Sequence, residues 1–465
     1  MTHRLLARVG ALGVACAALP LSAIATPDAD IKALREQLKD LKQNYEQRID
    51  ALEKRLADAE KSVGKAENTS QQAQEVAQQA ARRPAAESAF NPGISLILNG
   101  TYTRQGKDPE SYRIDGFMPS NGEVGPPPRS FSLGESELAI SANIDPWFRG
   151  QLMAALTPDD SVEVEEAYIQ TLALSHGLTL KAGRFFSGVG YLNEQHAHAW
   201  DFSDAPLPYK AFFGNKLGSD GVQLKWVAPT DTFLELGAEA ARGGSFPSTD
   251  RNKNGSTLGA AFAHVGGDLG ASHSWRAGLS YLRTSPKDRT FDDGDATQSF
   301  SGRSRTAIAD FVWKWAPNGN ATHTSFKLQG EYFRRKETGT LASDSGAGAC
   351  GGDCSGAFSS RQSGWYLQGV YQFMPQWRVG LRHDRLHYGS MDIGLIADGT
   401  LAQADLPLLT PYSPRRNTAM VDWTPSEYSR VRLQLAQDKS RLGETDNQVW
   451  LQYIMSLGAH GAHAF

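Results

Sequence analysis

The densest group of chemistry-bearing side chains in this 465-residue sequence lies between positions 187 and 218, where Glu194, His196, His198, Asp201 and Asp204 follow one another closely. Imidazole suits zinc and carboxylates widen the choice, so His196 and His198 among these acids form a candidate divalent-metal group. The plainer role is that both histidines hydrogen-bond the segment to a surrounding wall and fix its shape, and that role is expected here. His383 and His387 would lie about 13 Å apart on one strand face, too far to share a metal. His460 and His463 close the chain and are expected to serve strand closure or assembly.

Cys350 and Cys354 are separated only by Gly-Gly-Asp, a flexible spacer that lets them form a disulfide at a loop tip in an oxidising compartment. A metal there would need two more ligands, and the neighbourhood offers only Asp344 and Asp353. There is no Gly-x-Ser-x-Gly elbow, no His-Glu-x-x-His and no phosphate-binding glycine loop. The sequence therefore reads as that of a non-enzyme without a cofactor, with Ser, His and Asp meeting across neighbouring strands as the minor alternative.

The elements that would position these groups are strands. From about residue 90 the chain alternates apolar and polar residues in sixteen runs: 92–104, 130–144, 146–156, 162–174, 177–186, 219–228, 231–243, 255–267, 273–285, 304–316, 322–337, 361–374, 376–388, 415–425, 427–439 and 445–458. Short turns such as Asp145-Pro146, Pro229-Thr230 and Pro425-Ser426 alternate with mostly longer loops such as 105–129, 187–218, 338–360 and 389–414. Seven short turns and eight other connections are what a sixteen-stranded antiparallel transmembrane barrel with both termini on one side requires. Trp147, Trp226, Trp275, Trp315, Trp377 and Trp423 each lie beside a different short turn. They are expected to form an interfacial belt at one level, where the indole is apolar on one edge and donates a hydrogen bond on the other.

If Phe148, Leu152 and Leu156, Val222 and Leu224, and Leu433 and Leu435 face lipid, alternation sends Arg149, Lys181, Lys225, Arg378, Arg382, Arg430 and Arg432 into the lumen. Glu166, Glu235, Glu239 and Glu331 point the same way, so the expected pore lining is mixed in sign. The 187–218 segment follows the fifth strand and is expected to be a constriction loop.

Ahead of the barrel stand three other textures. Residues 1–25 have a basic start, an apolar stretch from Val9 to Leu21 and the ending Ala23-Ile24-Ala25, which is the pattern of a cleavable signal peptide. Residues 27–66 carry an apolar seam through Ile31, Leu34, Leu38, Leu41, Tyr45, Ile49, Leu52 and Leu56, read as a coiled coil with one stutter. Residues 67–89 are Ala-, Gln- and Ser-rich and read as a linker. No run is apolar enough for a membrane helix, and mean hydropathy is -0.42. Without Arg4 and Arg8 the 47 basic side chains fall to 45 against 51 acidic ones, so no positive field attracts nucleic acid.

Several stretches also carry a resemblance. Phe90-Asn91-Pro92-Gly93-Ile94-Ser95, Ser132-Leu133-Gly134-Glu135-Ser136-Glu137-Leu138, Lys181-Ala182-Gly183-Arg184-Phe185-Phe186 and the ending His460-Gly461-Ala462-His463-Ala464-Phe465 resemble the phosphate-selective porin O and P family. The coiled coil resembles the DcaP-type porins within it. The resemblance implies a homotrimer of sixteen-stranded barrels in the outer membrane of a Gram-negative bacterium, with the coiled coil in the periplasm. Each pore would be narrowed by inward loops and would pass small hydrophilic solutes, anions such as phosphate or dicarboxylates among them, by passive diffusion. A similar group carries the label of zinc-regulated, TonB-dependent receptor. Such receptors have 22-stranded, plugged barrels, and this sequence offers neither plug nor TonB box, so zinc uptake stands as the alternative. A purely structural or adhesive barrel comes third.

Overall fold

The computed structural model describes residues 92–458 apart from 121–123, 158–160, 295 and 345–352, together with six positions between 36 and 50. The chain divides into two compact units, Met1–Ala89 and Phe90–Phe465. In the first, Glu36, Lys39, Lys42, Gln43, Glu46 and Asp50 are helical and exposed, with Lys42 Nζ 3.9 Å from Glu46 Oε1. The apolar seam, the signal segment, the linker, Cys350, His460 and His463 lie outside the described residues.

The second unit is a closed antiparallel barrel of sixteen strands. They are β1 (Gly93–Gln105), β2 (Ser130–Leu133 continued by Ser136–Asn143), β3 (Phe148–Leu156), β4 (Val162–Thr171), β5 (Leu178–Phe186), β6 (Gly218–Val227), β7 (Phe233–Ala241) and β8 (Leu258–Leu269). The second half comprises β9 (His273–Thr284), β10 (Ala296–Trp315), β11 (Ser325–Asp344), β12 (Asp353–Met374), β13 (Trp377–Ile393), β14 (Arg415–Ser426), β15 (Ser429–Lys439) and β16 (Asp446–Gly458). A short strand, Arg289–Asp293, folds back onto the start of β10. Each strand pairs with its sequence neighbours, and β1 closes the ring by pairing with β16 from Ser95↔Gly458 to Gln105↔Gln448.

All sixteen sequence runs correspond to strands. The largest differences lie at the long-loop end, where β10 to β13 extend beyond them by several residues; smaller ones include the break in β2 between Leu133 and Ser136 and the three-residue shortening at the end of β4 and the start of β11. Those extensions alternate Thr, Ser, Gly and charged residues in place of apolar ones, so their outer face lacked the hydrophobic signal that marks a strand in lipid. Cys354 lies in such an extension, opposite Ser343.

The barrel is apolar outside and polar within. Leu279, Leu381, Leu433 and Leu435 are exposed on the outer face, whereas Gln223, Thr306, Gln329 and Gln434 are buried on the inner one. A water-soluble sandwich would bury the first set; lipid solvates it. At the short-turn end, Trp226 Nε1 donates to the His176 carbonyl at 3.0 Å and Trp377 stacks on Trp423 at 6.1 Å. The turn at His176-Gly177 needs positive φ (64° and 75°), and a Cβ on Gly177 would collide with the Val227 carbonyl.

Leu279, 68% exposed at mid-strand, gives a direct test of this inside-out arrangement. Leu279→Arg is expected to lower unfolding stability in lipid vesicles by about 2–4 kcal/mol, the cost of a cation near the bilayer midplane. A soluble fold would register almost nothing in the same urea titration.

Candidate functional site: the in-folded loop and its vestibule

After β5 the chain turns into the lumen at Ser187 and leaves it at Leu217, carrying the helix α1 (Leu207–Phe213). Two wall carboxylates collect its backbone. Glu239 accepts from Ser187 Oγ at 2.5 Å and Gly188 N at 2.7 Å. Glu331 accepts from the amides of Tyr191 and Leu192, both at 3.1 Å, and from the hydroxyls of Tyr209 and Tyr366. Gly190 allows this approach: its φ is 72°, and a Cβ there would lie 2.4 Å from Glu331 Oε2. Asn193 clips the two loop ends together through Ser187 O, Leu217 O and Leu217 N. Tyr209, Phe212 and Phe213 then bury against Phe333 of β11.

The five charged loop residues all meet the wall. Glu194 Oε1 lies 2.7 Å from Lys225 Nζ. Asp201 is held by Lys327 at 3.0 Å and Arg378 at 3.3 Å. Asp204 sits among Arg382 at 3.1 Å, Lys210 at 3.2 Å and Arg416. His196 lies between Glu165 and Glu166, one at each ring nitrogen and both at 3.0 Å; His198 Nδ1 is 2.8 Å from Glu137. The loop carbonyls of His198 and Trp200 accept from Arg430 and Arg432.

Glu137, Glu165, Lys327 and Arg416 were absent from the sequence-based candidates. For the Glu165–Glu166 pair the reason is a β-bulge: Met153 pairs with Glu166 and Ala154 with Val164, which leaves Glu165 as an extra residue. Strict alternation would put adjacent carboxylates on opposite faces, whereas a bulge re-aims one of them. A doubled acid inside an alternating strand is the only signal the sequence offered. One ligand atom from each of Glu137, Glu165 and His196 falls within 4.8 Å of the others, a spacing that fits a divalent cation.

Burial and the nearby Lys216 ammonium push the His196 imidazolium down, but hydrogen bonds to Glu165 and Glu166 outweigh them and hold its pKa up to about 9. Burial pushes Glu194 up, and the Lys225 and Lys181 ammonium groups more than reverse this, to about 2. Asp201 and Asp204 stay well below the usual carboxylate range, because their basic neighbours overcome the desolvation of burial.

Below the loop, on the short-turn side, three adjoining cavities of about 480, 780 and 1080 Å³ form a vestibule. Its basic lining is Arg149, Lys181, Lys225, Arg276, Lys314, Lys327, Arg378 and Arg430; its acidic lining is Glu166, Glu194, Asp201, Asp268 and Glu427. Lys181 Nζ lies 4.5 Å over the Tyr168 ring, Arg276 stacks on Tyr191 at 5.4 Å, and Arg149 donates to Ser141 Oγ. Among the described residues, Arg149, Lys181, Arg276 and Arg430 form no salt bridge. Arg382 and Arg432 face inward but are buried, so they anchor the loop and do not line open space. Glu235 lies 3.0 Å from His264 and 3.9 Å from Lys225. On the long-loop side, segment 394–414 and Met118 pack a second apolar cluster with Phe291, Phe300, Leu341 and Phe358. His383 and His387 fall on the outer face, away from the lumen.

A closed ring of lipid-facing strands with the 187–217 connection folded into a polar lumen defines a transmembrane β-barrel with an in-folded loop. The chain is 30% identical over 410 residues, 82% of its own length and 81% of the relative's, to an uncharacterized protein of Aquifex aeolicus (strain VF5). It belongs to the same family as that protein. No family model matches. Among solved structures, it is similar to a loop L8 deletion mutant of OmpT, an outer membrane protein of Vibrio cholerae, with a TM-score of 0.49 and 11% identity over 80% of this chain and 100% of that one. It is also similar to the anion-selective porin from Comamonas acidovorans (0.47, 11%, 79% and 99%) and the outer membrane channel DcaP of Acinetobacter baumannii (0.45, 12%, 79% and 97%).

The loop contacts have a calculable pH window. Glu194, Asp201 and Asp204, with lowered pKa values, contribute stability above the unfolded carboxylate values of about 4, lost as pH falls through the lowered folded values. His196, with a raised value, contributes fully below about 6.5 and loses that contribution as pH rises through about 9. Hydrogen exchange of the 187–217 amides, corrected for intrinsic rate, should therefore be slowest near pH 5–6 and accelerate toward pH 9.5. His196→Gln should abolish the alkaline acceleration.

Proposed function

We propose that the protein is an outer-membrane porin through which small hydrophilic solutes diffuse passively, with loop 187–217 setting the constriction. The observation that carries this reading is the vestibule: eight basic against five acidic lining residues, with four of the basic ones outside any salt bridge among the described residues. A ring of that balance concentrates anions and repels cations. Phosphate or small dicarboxylates are the proposed class of solute, in line with the resemblance to the phosphate-selective O and P porins. The biological unit is proposed to be a homotrimer clamped by the coiled coil of residues 27–66 in the periplasm, following cleavage of the signal segment.

The test is single-channel conductance in planar bilayers under a salt gradient. The wild type should show three conductance steps with anion-directed reversal and a reduced current when phosphate is added. The double variant Arg149→Glu, Lys181→Glu should move the reversal potential toward cations. A wild-type channel already cation-selective would overturn the anion reading, and absence of any conductance would overturn the porin.

A second reading, divalent-metal uptake, has one observation in favour: the convergence of Glu137, Glu165 and His196. Their donor set, one imidazole and two carboxylates, is compatible with zinc. Calorimetric titration with zinc separates the readings. Saturable binding lost in His196→Gln would support uptake, and heat no greater than that of the variant would remove it.

A further inference from the structure

The outer face of the barrel carries cations where lipid should be. In register, Arg283 of β9 pairs with Arg305 of β10, Arg305 with Lys336 of β11, and Lys336 with Arg361 of β12. A second row runs from Arg385 of β13 to Arg415 of β14 and Lys439 of β15. These positions alternate with buried lumen-facing neighbours, so their side chains point outward. Like charges directly opposite one another on a sheet repel. Among the described residues, none of the seven forms a salt bridge. Two acids nearby behave differently: Asp220 of β6 pairs with Arg184 of β5, and Asp250, in the loop after β7, pairs with Arg242. Two uncompensated cationic rows therefore call for anions from outside the chain.

Their height identifies which anions. Arg283, Arg385 and Arg415 each lie eight residues from a tryptophan of the short-turn belt on the same strand, Trp275, Trp377 and Trp423. Eight residues rise about 26 Å along a strand, or about 20 Å across a membrane at the usual tilt. The cations thus sit at the far edge of the apolar band, at the level of the opposite headgroups. Tyr281, Tyr332 and Trp365 occupy the outer face on the short-turn side of the first row.

The second row also has a shaped pocket. Arg385, Arg415 and Lys439, with Tyr412, Ser413 and Thr445, line a recess of about 420 Å³. Glu444 shares it, with its carboxylate turned to Lys107 at 3.4 Å and Arg441 at 3.9 Å. One step toward the membrane runs a polar rung, His383↔Asn417↔Gln437↔Asn447. Beneath it opens a groove of about 770 Å³ floored by Leu328, Leu367, Leu381, Leu435 and Val449. Cations, then hydrogen-bonding groups, then an apolar trough match phosphate, sugar or amide, then acyl chain.

We infer that Arg385, Arg415 and Lys439, with the groove below them, form a binding site for a phosphorylated, acylated lipid of the outer leaflet. The inference rests on the outer-membrane reading above and takes the long-loop end as the exterior one. The test uses the full chain in detergent micelles and native mass spectrometry, with diphosphorylated lipid A, its dephosphorylated form and inorganic phosphate as probes. The wild type should retain diphosphorylated lipid A. Arg385→Ala, Arg415→Ala, Lys439→Ala combined should weaken retention at least tenfold while heat-modifiable migration on gels, a mark of the folded barrel, is kept. Should the triple variant not fold, Arg415→Gln alone should show a smaller loss in the same direction.

Equal retention by folded variant and wild type, equal retention of the dephosphorylated lipid, or displacement of the lipid by millimolar inorganic phosphate would each overturn the proposal. Conductance of the same preparations keeps the two readings apart. A conducting channel with no lipid selectivity sinks only the lipid site, and a non-conducting barrel that binds lipid through these residues sinks only the porin.

Discussion

Every peptide group at membrane depth must find its hydrogen-bond partner within the protein, because hydrocarbon supplies none. That constraint makes the ring close between β1 and β16, and closure in turn fixes two faces with opposite solvents. Alternation follows directly: each strand must show lipid-compatible side chains at every second position and polar ones between. The apolar exterior and buried glutamine interior are two readings of one backbone requirement.

A closed polar interior creates a second demand. Glu331 and Glu239 are buried, and a buried ionisable group costs several kcal/mol unless paired or hydrogen-bonded. The loop meets that demand. Its amides and tyrosine hydroxyl serve Glu331, its Ser187 and Gly188 serve Glu239, and its carbonyls receive Arg430 and Arg432. The narrowing of the lumen is thus inseparable from how the wall satisfies its own polar groups. What that exchange leaves uncovered is chiefly the basic vestibule on the short-turn side.

Most of the barrel was legible in the sequence because period-two alternation, turn residues and the tryptophan positions are local signals. Arg149, Lys181 and Lys225 were placed on the inner face by counting alone. The extended ends of β10 to β13 were not legible, since above the membrane the outer face has no reason to be apolar. Counting also failed at Glu165, where one inserted residue shifts the register of faces. Whether an inward arginine lines water or is locked against loop carboxylates, as Arg382 is against Asp204, depends on residues far away in sequence. The outward rows were not legible for a related reason. Arg283, Arg305, Lys336 and Arg361 are unremarkable on their own strands and become a row only through pairing register.

The grip of Glu331 on the Tyr191 and Leu192 amides also has a consequence for the whole ring. The loop leaves the wall after the fifth strand, but its anchors arrive much later in the chain. Tyr191 waits for Glu331, and the carbonyl of Trp200 waits for Arg432, 232 residues onward. The loop is therefore held by contacts that span most of the barrel, from β5 to β15. Placement of the loop is a property of the finished ring, since its anchors on β7, β11 and β15 come together only when the strands between them are in register.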